Sequence, residues 1–225
     1  AMTSKTIHLY QGKTRSSPSV AWSPDGAHFA VAGQDNLVWV RDFATNEVIY
    51  SNSAIYYNDV CSCALYSRGL AWSSDSSLLA YGTPDGVVHV VNVMQRLIVL
   101  IYRGHRAAVN DLCWSPDGLY IASASDDHTV QLWEATTGKT TLTYKGHNGG
   151  ITSVRWSPDG ARIYFSWKQR SDPQERDRDT WVVNRDGTGL RKLSESEKKD
   201  APPSSAEWTR DLQRAVFVDD GDVFL

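Results

Sequence analysis

Trp114-Ser-Pro-Asp-Gly118, the pentapeptide WSPDG, decides the fold because it recurs along this chain of 225 residues. Proline fixes φ, aspartate accepts hydrogen bonds from nearby amides and glycine tolerates a positive φ, so the motif predicts a tight turn. Intact or altered copies begin at Trp22, Trp72, Trp114, Trp156 and Trp208. Their spacings of 50, 42, 42 and 52 residues indicate a repeat of about 42 residues with two insertions.

Each repeat has the same arrangement of short apolar segments. In the fourth copy, Ile151–Trp156 alternates apolar and polar residues before the turn, and further apolar segments follow it. Such alternation is typical of strands, and no segment has a convincing helical period, so the chain is predicted to be all-β. Four short antiparallel strands at this interval are typical of one blade of a β-propeller. We predict a single domain, residues 1–225, with blade cores at about 17–53, 69–102, 108–144, 151–193, and 204–225 plus 6–10.

The two ends of the chain are predicted to meet in the last blade. The fifth repeat reaches Leu225 inside its third strand, whereas Thr6–Tyr10 is a strand ahead of the first repeat. Tyr10-Gln-Gly12 precedes Trp22 by twelve residues, as Tyr102-Arg-Gly104 precedes the tryptophan of the third repeat. The predicted fold is therefore a five-bladed propeller of four-stranded antiparallel blades, with the ring closed by the N-terminal strand. Closure within one chain or between chains stays open, which leaves a monomer or self-association.

Composition narrows the classes of function. The formal net charge of −3 and the pI near 6.1 give no basic surface for nucleic acid or an anionic membrane. The strongest apolar run, Leu97–Ile101, is too short to cross a bilayer and is predicted to be a buried strand. Three cysteines are too few for a disulfide framework, and Ala1–Lys5 lacks the apolar core of a signal peptide. We therefore expect free thiols and a cytoplasmic protein.

The third repeat carries the most specific pattern. It combines Gly104-His105, the WSPDG turn and Ile121–Glu134, IASASDDHTVQLWE. This pattern resembles the WD40 repeat family, best over residues 97–160, and from residue 161 onward the chain resembles TolB-type propeller repeats. The WD40 resemblance implies a hydrogen-bonded chain within the blade, formed by His105, Ser123, Asp127 and Trp133. In the first and second repeats, Arg41 and Val91 stand at the tryptophan position.

The same resemblance implies a non-catalytic protein–protein interaction scaffold. Partners of that family usually dock on the face that carries the loops before the innermost strands and the loops between the second and third strands. By position, the residues expected there are Arg106, Asn110, Asp126, Asn148 and Thr152. The two Gly-His pairs lie at a fixed distance before a repeated turn, which favours structural histidines over general bases.

Catalytic, metal and cofactor sites are not expected. The turn aspartates recur in every repeat and therefore fit turn capping. Asp126-Asp127-His128 offers poor metal geometry, and Asp219–Asp222 lacks the glutamate that closes an EF-hand loop. A glycosidase needs two carboxylates, yet Asp111 is the one acid at the starts of the predicted innermost strands. We predict that the chain is not an enzyme and binds no cofactor.

Two alternatives from other classes stay open. A small-ligand or carbohydrate-binding propeller would line pockets between blades with Trp39, Trp167 or Trp181. Equivalent ligand residues in every blade would favour that function, and the irregular repeats count against it. An engineered or fragment-derived propeller with no selected ligand would explain Ala1-Met2, the end at Leu225 and the two repeat patterns. A longer natural parent explains the same facts.

Overall fold

The computed structural model describes residues 9–10, 19–32, 37–53, 69–167, 179–194, 196–199, 207–208, 215–219 and 222–224. Over these residues the chain forms twenty β-strands and one 3₁₀ turn, Glu197–Lys199, which confirms the all-β prediction. The strands pair into five four-stranded antiparallel sheets. Among the described residues, no helix is long and apolar enough to cross a membrane.

Sheets one to four each use four strands that are consecutive in the chain, and the first strands of neighbouring sheets contact one another and so lie innermost. Sheet one comprises β2 (Ser19–Trp22), β3 (His28–Ala32), β4 (Leu37–Asp42) and β5 (Val48–Ser53). Sheet two comprises β6 (Leu70–Trp72), β7 (Leu78–Gly82), β8 (Val88–Asn92) and β9 (Leu97–Tyr102). Sheet three comprises β10 (Val109–Trp114), β11 (Tyr120–Ser125), β12 (Thr129–Glu134) and β13 (Thr140–Lys145). Sheet four comprises β14 (Ile151–Trp156), β15 (Arg162–Trp167), β16 (Asp179–Asn184) and β17 (Arg191–Lys192).

The fifth sheet joins strands from both ends of the chain. Its order is β1-β20-β19-β18, formed by β1 (Leu9–Tyr10), β18 (Glu207–Trp208), β19 (Ala215–Asp219) and β20 (Asp222–Phe224). Leu9 lies opposite Phe224 and Tyr10 lies opposite Val223, in antiparallel register. β19 also contacts β2 of sheet one. Residues 6–8 of the predicted N-terminal strand lie outside the described residues.

The WSPDG turn is held by its own serine and aspartate. In sheet three, Ser115 Oγ donates to Asp117 Oδ1 over 2.5 Å, and this carboxylate accepts the Leu119 amide over 3.0 Å. Ser115 Oγ in turn accepts the Tyr120 amide over 2.9 Å. The same bonds recur in sheets one, two and four around Asp25, Asp75 and Asp159. Turn capping by these four aspartates is therefore confirmed, and the aspartate of the fifth repeat lies outside the described residues.

Strand register makes the repeats comparable residue by residue. Three residues beyond the turn, Ile121 pairs with Trp133. The same position carries the pairs Phe29–Arg41, Leu79–Val91 and Ile163–Val183 in sheets one, two and four. Two residues further along, Ser123 pairs with Gln131, and the equivalent pairs are Val31–Trp39, Tyr81–His89 and Phe165–Trp181. The side chains at these positions decide how the interior of each sheet is filled.

Neighbouring sheets pack through apolar side chains and through the repeated indole N–H groups. Trp72 Nε1 donates to Ala21 O over 3.1 Å, and Trp114 Nε1 donates to Ala71 O over 3.1 Å. Each of these two bonds joins an innermost strand to that of the preceding sheet, whereas Trp22 Nε1 and Trp156 Nε1 are buried without a hydrogen-bond partner among the residues that the structure describes. Apolar clusters fill the interfaces from sheet one through sheet four. A single sheet cannot bury both of its faces, so its neighbours complete the core.

The prediction that Leu97–Ile101 is a buried strand is wrong. This run lies in β9, the outermost strand of sheet two, and its exposed fractions are Leu97 58%, Ile98 42%, Val99 50% and Ile101 44%. An outermost strand has a neighbouring strand on one side only, and an apolar run gives no information about that position in the sheet. Leu100 and Tyr102, in contrast, pack against the cluster between sheets two and three.

Candidate functional site

Tyr102 and Gly104 pack tightly beside His105 where the chain crosses from sheet two to sheet three. The ring of Tyr102 stacks on Trp133, with centroids 4.3 Å apart and planes 9° apart. Its hydroxyl donates to Gln131 Oε1. A Cβ at position 104 would collide with both of these oxygen atoms, so only glycine fits beside the tyrosine. The glycine of the Gly-His pair is therefore required by packing.

Four side chains form a hydrogen-bonded chain through sheet three, named the His105 network: His105, Ser123, Asp127 and Trp133. His105 Nδ1 lies 2.9 Å from Asp127 Oδ2, and its Nε2 lies 2.8 Å from Ser123 Oγ. Trp133 Nε1 donates to the same Ser123 Oγ over 3.2 Å. An ionised carboxylate can only accept, so His105 Nδ1 donates to Asp127 and leaves Nε2 able to accept from the Ser123 hydroxyl. The structure thus brings together all four residues that the WD40 resemblance implies.

The carboxylate of Asp127 stays ionised inside this network. The His105 side chain is 0% exposed and that of Asp127 is 9% exposed. Burial by itself raises the pKa of Asp127, but hydrogen bonds from His105, Thr129 and the Arg106 amide outweigh burial and hold the pKa far below its ordinary range. Thr129 Oγ1 donates over 2.6 Å and Arg106 N donates over 3.0 Å. The charge is thus stabilised by donors on two segments, residues 105–106 and Thr129.

The depressed pKa of Asp127 predicts a specific loss of stability in acid. The contribution of Asp127 is fully present above its unfolded-state pKa of about 4 and is lost as the pH falls through the lower folded-state pKa. We expect the free energy of unfolding of the wild type to fall more steeply below about pH 4 than that of Asp127→Asn. Urea unfolding at a series of pH values measures both slopes. Parallel curves for the two proteins would contradict this assignment.

His147 takes the place of the network histidine in sheet four, but its surroundings are aromatic. By register, Phe165 and Trp181 stand where sheet three has serine and glutamine. The imidazole stacks on Trp167, with centroids 4.7 Å apart, and meets Phe165 and Trp181 edge-on at 5.5 Å and 5.3 Å. Tyr144 approaches it at 5.3 Å. Four aromatic rings therefore surround the histidine of sheet four, and they include two of the three tryptophans considered for a ligand pocket.

Three of the five residues expected on the partner-binding face are exposed and are named the loop face: Arg106, Asp126 and Asn148. The backbone amides of two of these residues form hydrogen bonds within the sheet. Arg106 N donates to Asp127 Oδ2, and Asp126 N donates to Ala108 O over 2.9 Å. The exposed side chains of Arg106 and Asp126 therefore extend from loops whose backbone is already hydrogen-bonded.

Asn110 does not fit the partner-binding role predicted for it. Its side chain is buried, with 7% of the residue exposed, and Nδ2 donates to Asp126 Oδ1 over 2.7 Å and to Ile151 O over 2.9 Å. It joins sheet three to the innermost strand of sheet four and fixes the Asp126 carboxylate. Its position in the chain is close to an exposed loop, but in β10 the side chain points into the sheet interface. Thr152 is half-buried, and its hydroxyl donates to Ser166 O over 3.2 Å.

Sequence reasoning missed three residues that support the network: Tyr102, Thr129 and Gln131. Gln131 Nε2 donates to Gly104 O over 3.1 Å and so holds the crossing segment against sheet three. The sequence does contain a pattern that points to one of these residues, Tyr102. The pattern Tyr-x-Gly-His occurs at Tyr102–His105 and at Tyr144–His147, so the tyrosine is as regular as the histidine.

Asp111, the one acid predicted at the starts of the innermost strands, forms an ion pair between two sheets. Its Oδ2 lies 2.5 Å from Arg155 Nη1 and accepts the Val154 amide over 3.0 Å. Burial raises the pKa of Asp111, and the Arg155 guanidinium opposes that effect. The carboxylate thus links β10 to β14 as a structural group.

The acidic triplet on the β11–β12 turn is split between two environments. Asp126 is exposed and bonded to an asparagine amide, whereas Asp127 lies in the His105 network. Within the described part of the chain, no three His, Cys, Asp or Glu side chains are placed to hold a metal ion. The side chains of Asp219–Asp222 lie outside the described residues. Trp39, the third tryptophan considered for a ligand pocket, packs edge-on against Phe29 with centroids 5.9 Å apart.

Three segments of the chain match the model of a known repeat family. Residues 4–42, 96–134 and 138–166 match the WD40 family, described as WD domain, G-beta repeat. Three segments of the chain thus resemble WD40 repeats. The matched segments make up just under half of its length, and they include the first repeat, in which Arg41 stands at the tryptophan position. The TolB-type repeats expected from residue 161 onward stay a prediction.

Relatives and solved structures extend the WD40 finding to the fold. A stretch of 98 residues, 41% of this chain, is 33% identical to the 66 kDa stress protein of Physarum polycephalum and covers 14% of that protein. The structures of U3-55K and of the RRP9 WD40 repeats give TM-scores of 0.69 and 0.70 at 16% and 15% identity. These alignments cover 84% and 85% of this chain and 54% and 55% of those chains. This chain spans about half the length of those structures, and its fold is a β-propeller.

Proposed function

We propose that this WD40-repeat chain is a single five-bladed propeller, closed in one ring by its N-terminal strand, and that it is a non-catalytic protein-interaction scaffold. The pairing of β1 with β20 and the contact of β19 with β2 support the closed ring, because they bring the last sheet beside the first. Closure also removes the open ends that a linear stack of sheets would expose.

The observation that carries the scaffold function is the fixed backbone beneath the loop face. Asp127 accepts the Arg106 amide, and Asn110 binds the carboxylate of Asp126. A Cβ on Gly150 would collide with Asp126, so the following loop lies directly against this carboxylate. Association is weakened by the cost of ordering loops and side chains. A surface whose loops are ordered in advance is therefore suited to recognition of a partner.

The chemistry of the loop face favours a protein as this partner. Arg106, Asp126 and Asn148 present a cation, an anion and an amide, which together match the mixed polar surface of a folded protein. Arginine is one of the residues most enriched in interface hot spots. The acidic net charge of −3 disfavours a nucleic acid.

Arg106→Glu is expected to weaken binding of protein partners about tenfold or more, since loss of a hot-spot arginine costs about 2 kcal/mol. The substitution keeps the backbone amide that Asp127 accepts, so the melting temperature should not change. The measurement is an array of immobilised proteins and glycans probed with labelled wild type and variant, followed by titration of each bound partner.

Lys139→Glu provides the matched control for this array, because it makes the same charge reversal on the exposed β12–β13 turn. It should leave partner binding at the wild-type level. Equal losses in the two variants, or retention of no protein by the wild type, would contradict the scaffold function. Retention of glycans alone would support the carbohydrate-binding alternative.

A further inference from the structure

The outer edge of sheet two exposes aliphatic side chains that the packing of the sheets does not require. Met94 in the preceding turn is 71% exposed, and four of the six residues of β9 are exposed aliphatic side chains. Contiguous exposed apolar patches on soluble proteins usually mark interaction sites. An edge strand adds unpaired N–H and C=O groups, which can pair with a further strand. The β9 edge, residues 96–103, therefore has both components of a strand-docking site.

Sheet three shows that a blade of this propeller does not need these apolar residues. By register, the outward residues Ile98, Val99 and Ile101 of β9 correspond to Thr140, Thr141 and Thr143 of β13. The inward residues Leu100 and Tyr102 correspond to Leu142 and Tyr144, and so they are the same in both strands. The two outer strands thus share their packing residues and differ in the side chains that face solvent.

Arginines flank the apolar strand at both ends. Arg96 and Arg103 are exposed, and among the described residues neither of them forms an ion pair. No acidic residue occurs between them in the chain. Arg96 has φ = 57°, at a position where sheets one and three have Asn46 and Gly138, the residue types that tolerate this conformation best. Arg96 therefore adopts a backbone conformation that is unfavourable for an arginine.

We propose that the β9 edge binds an extended segment of a partner protein in which apolar residues are flanked by acidic residues. The segment would pair with the backbone groups of β9 that no described strand contacts, cover its aliphatic side chains and place its acids beside the two arginines. A second copy of β9 fits less well, since antiparallel self-pairing sets Arg96 opposite Arg103. The β9 edge is separate from the loop face, and the proposal does not depend on the function of that face.

Fluorescence anisotropy with a labelled peptide, Glu-Glu-Val-Thr-Val-Thr-Val-Glu-Glu, tests this proposal. The wild type is expected to bind it about tenfold more tightly than the same peptide with lysine at the four acidic positions, and added salt should reduce this preference. The triple variant Ile98→Thr, Val99→Thr and Ile101→Thr copies the outward residues of β13. Threonine suits a strand, so this variant should fold and should bind the acidic peptide at least about tenfold more weakly.

Two further variants separate an effect on peptide binding from an effect on folding or on the loop face. Arg96→Gly introduces the residue of sheet three and should reduce the preference for the acidic peptide several-fold without loss of thermal stability. Arg106→Glu on the loop face should leave peptide binding unchanged. Equal affinity for the two peptides, or wild-type affinity in the triple variant, would overturn the proposal. Self-association of the wild type that the triple variant abolishes, with no peptide bound, would assign the edge to a second copy and overturn it as well.

Discussion

Deletion of residues 1–12 is expected to abolish the folded monomer, so that the chain either unfolds or associates. The deletion removes β1 and leaves β20 with one neighbouring strand instead of two. The remaining strands of the fifth sheet are only two, five and three residues long. An exposed edge on such a short sheet either pairs with another chain or fails to hold the ring closed. Light scattering coupled to size-exclusion chromatography, together with thermal unfolding, distinguishes the two outcomes.

Deletion of residues 1–5 is the matched control, because it shortens the same end but keeps Leu9 and Tyr10. This variant should retain the mass and the melting temperature of the wild type. If the chain without residues 1–12 also stayed a monomer with an unchanged melting temperature, closure by the N-terminal strand would be excluded.

His105→Phe is expected to lower the free energy of unfolding by about 3 kcal/mol or more. The phenyl ring keeps the shape of the imidazole but removes both of its nitrogen atoms. The Asp127 carboxylate loses a buried donor and the Ser123 hydroxyl loses the imidazole as its acceptor, although Thr129 and the Arg106 amide still bind Asp127 and Trp133 still donates to Ser123. A hydrogen bond to a charged group contributes about 1.5–3 kcal/mol and a neutral one about 0.5–1.5 kcal/mol, so the two lost bonds together account for the expected decrease. Equilibrium unfolding in urea measures the difference.

His147→Phe is the matched control, since it makes the same substitution at the equivalent position of sheet four. The new ring keeps the contacts with Tyr144, Phe165, Trp167 and Trp181. Because this ring packing is retained, the loss of stability should be smaller than in His105→Phe. Equal losses of stability in the two variants would show that the polar bonds of His105 are not what distinguishes sheet three.

Local chemistry made the repeat and its turns predictable from sequence. The serine and the aspartate of WSPDG bond to amides within five residues, so their roles follow from the motif alone. The members of the His105 network were identified through the WD40 resemblance. Tyr102 and Gln131 were missed because their mutual hydrogen bond spans 29 positions and two sheets. Only the crossing of the chain between sheets brings them together.

The sequence did not predict how deeply several side chains are buried or which residues surround them. Leu97–Ile101 is apolar enough for a core strand, yet its place at the edge of sheet two leaves most of it exposed. Asn110 has the polar character of a surface residue, yet its amide is buried between two sheets. The aromatic surroundings of His147 come from Trp167 and Trp181, and they follow only from the pairing of β15 with β16. Each of these properties depends on strand order.

The closed ring is the central claim, and an engineered disulfide between Tyr10→Cys and Val223→Cys tests it most directly. These two positions are opposite partners in an antiparallel pair. Such pairs have Cα atoms about 4.5–5.5 Å apart, within the range that a disulfide spans. Tyr10→Cys with Ala215→Cys on β19 is the mismatched control. The ring predicts that mass spectrometry of the oxidised monomer finds the linkage between positions 10 and 223 and none in the control; linkage only between molecules, or no linkage at all, would contradict closure within one chain.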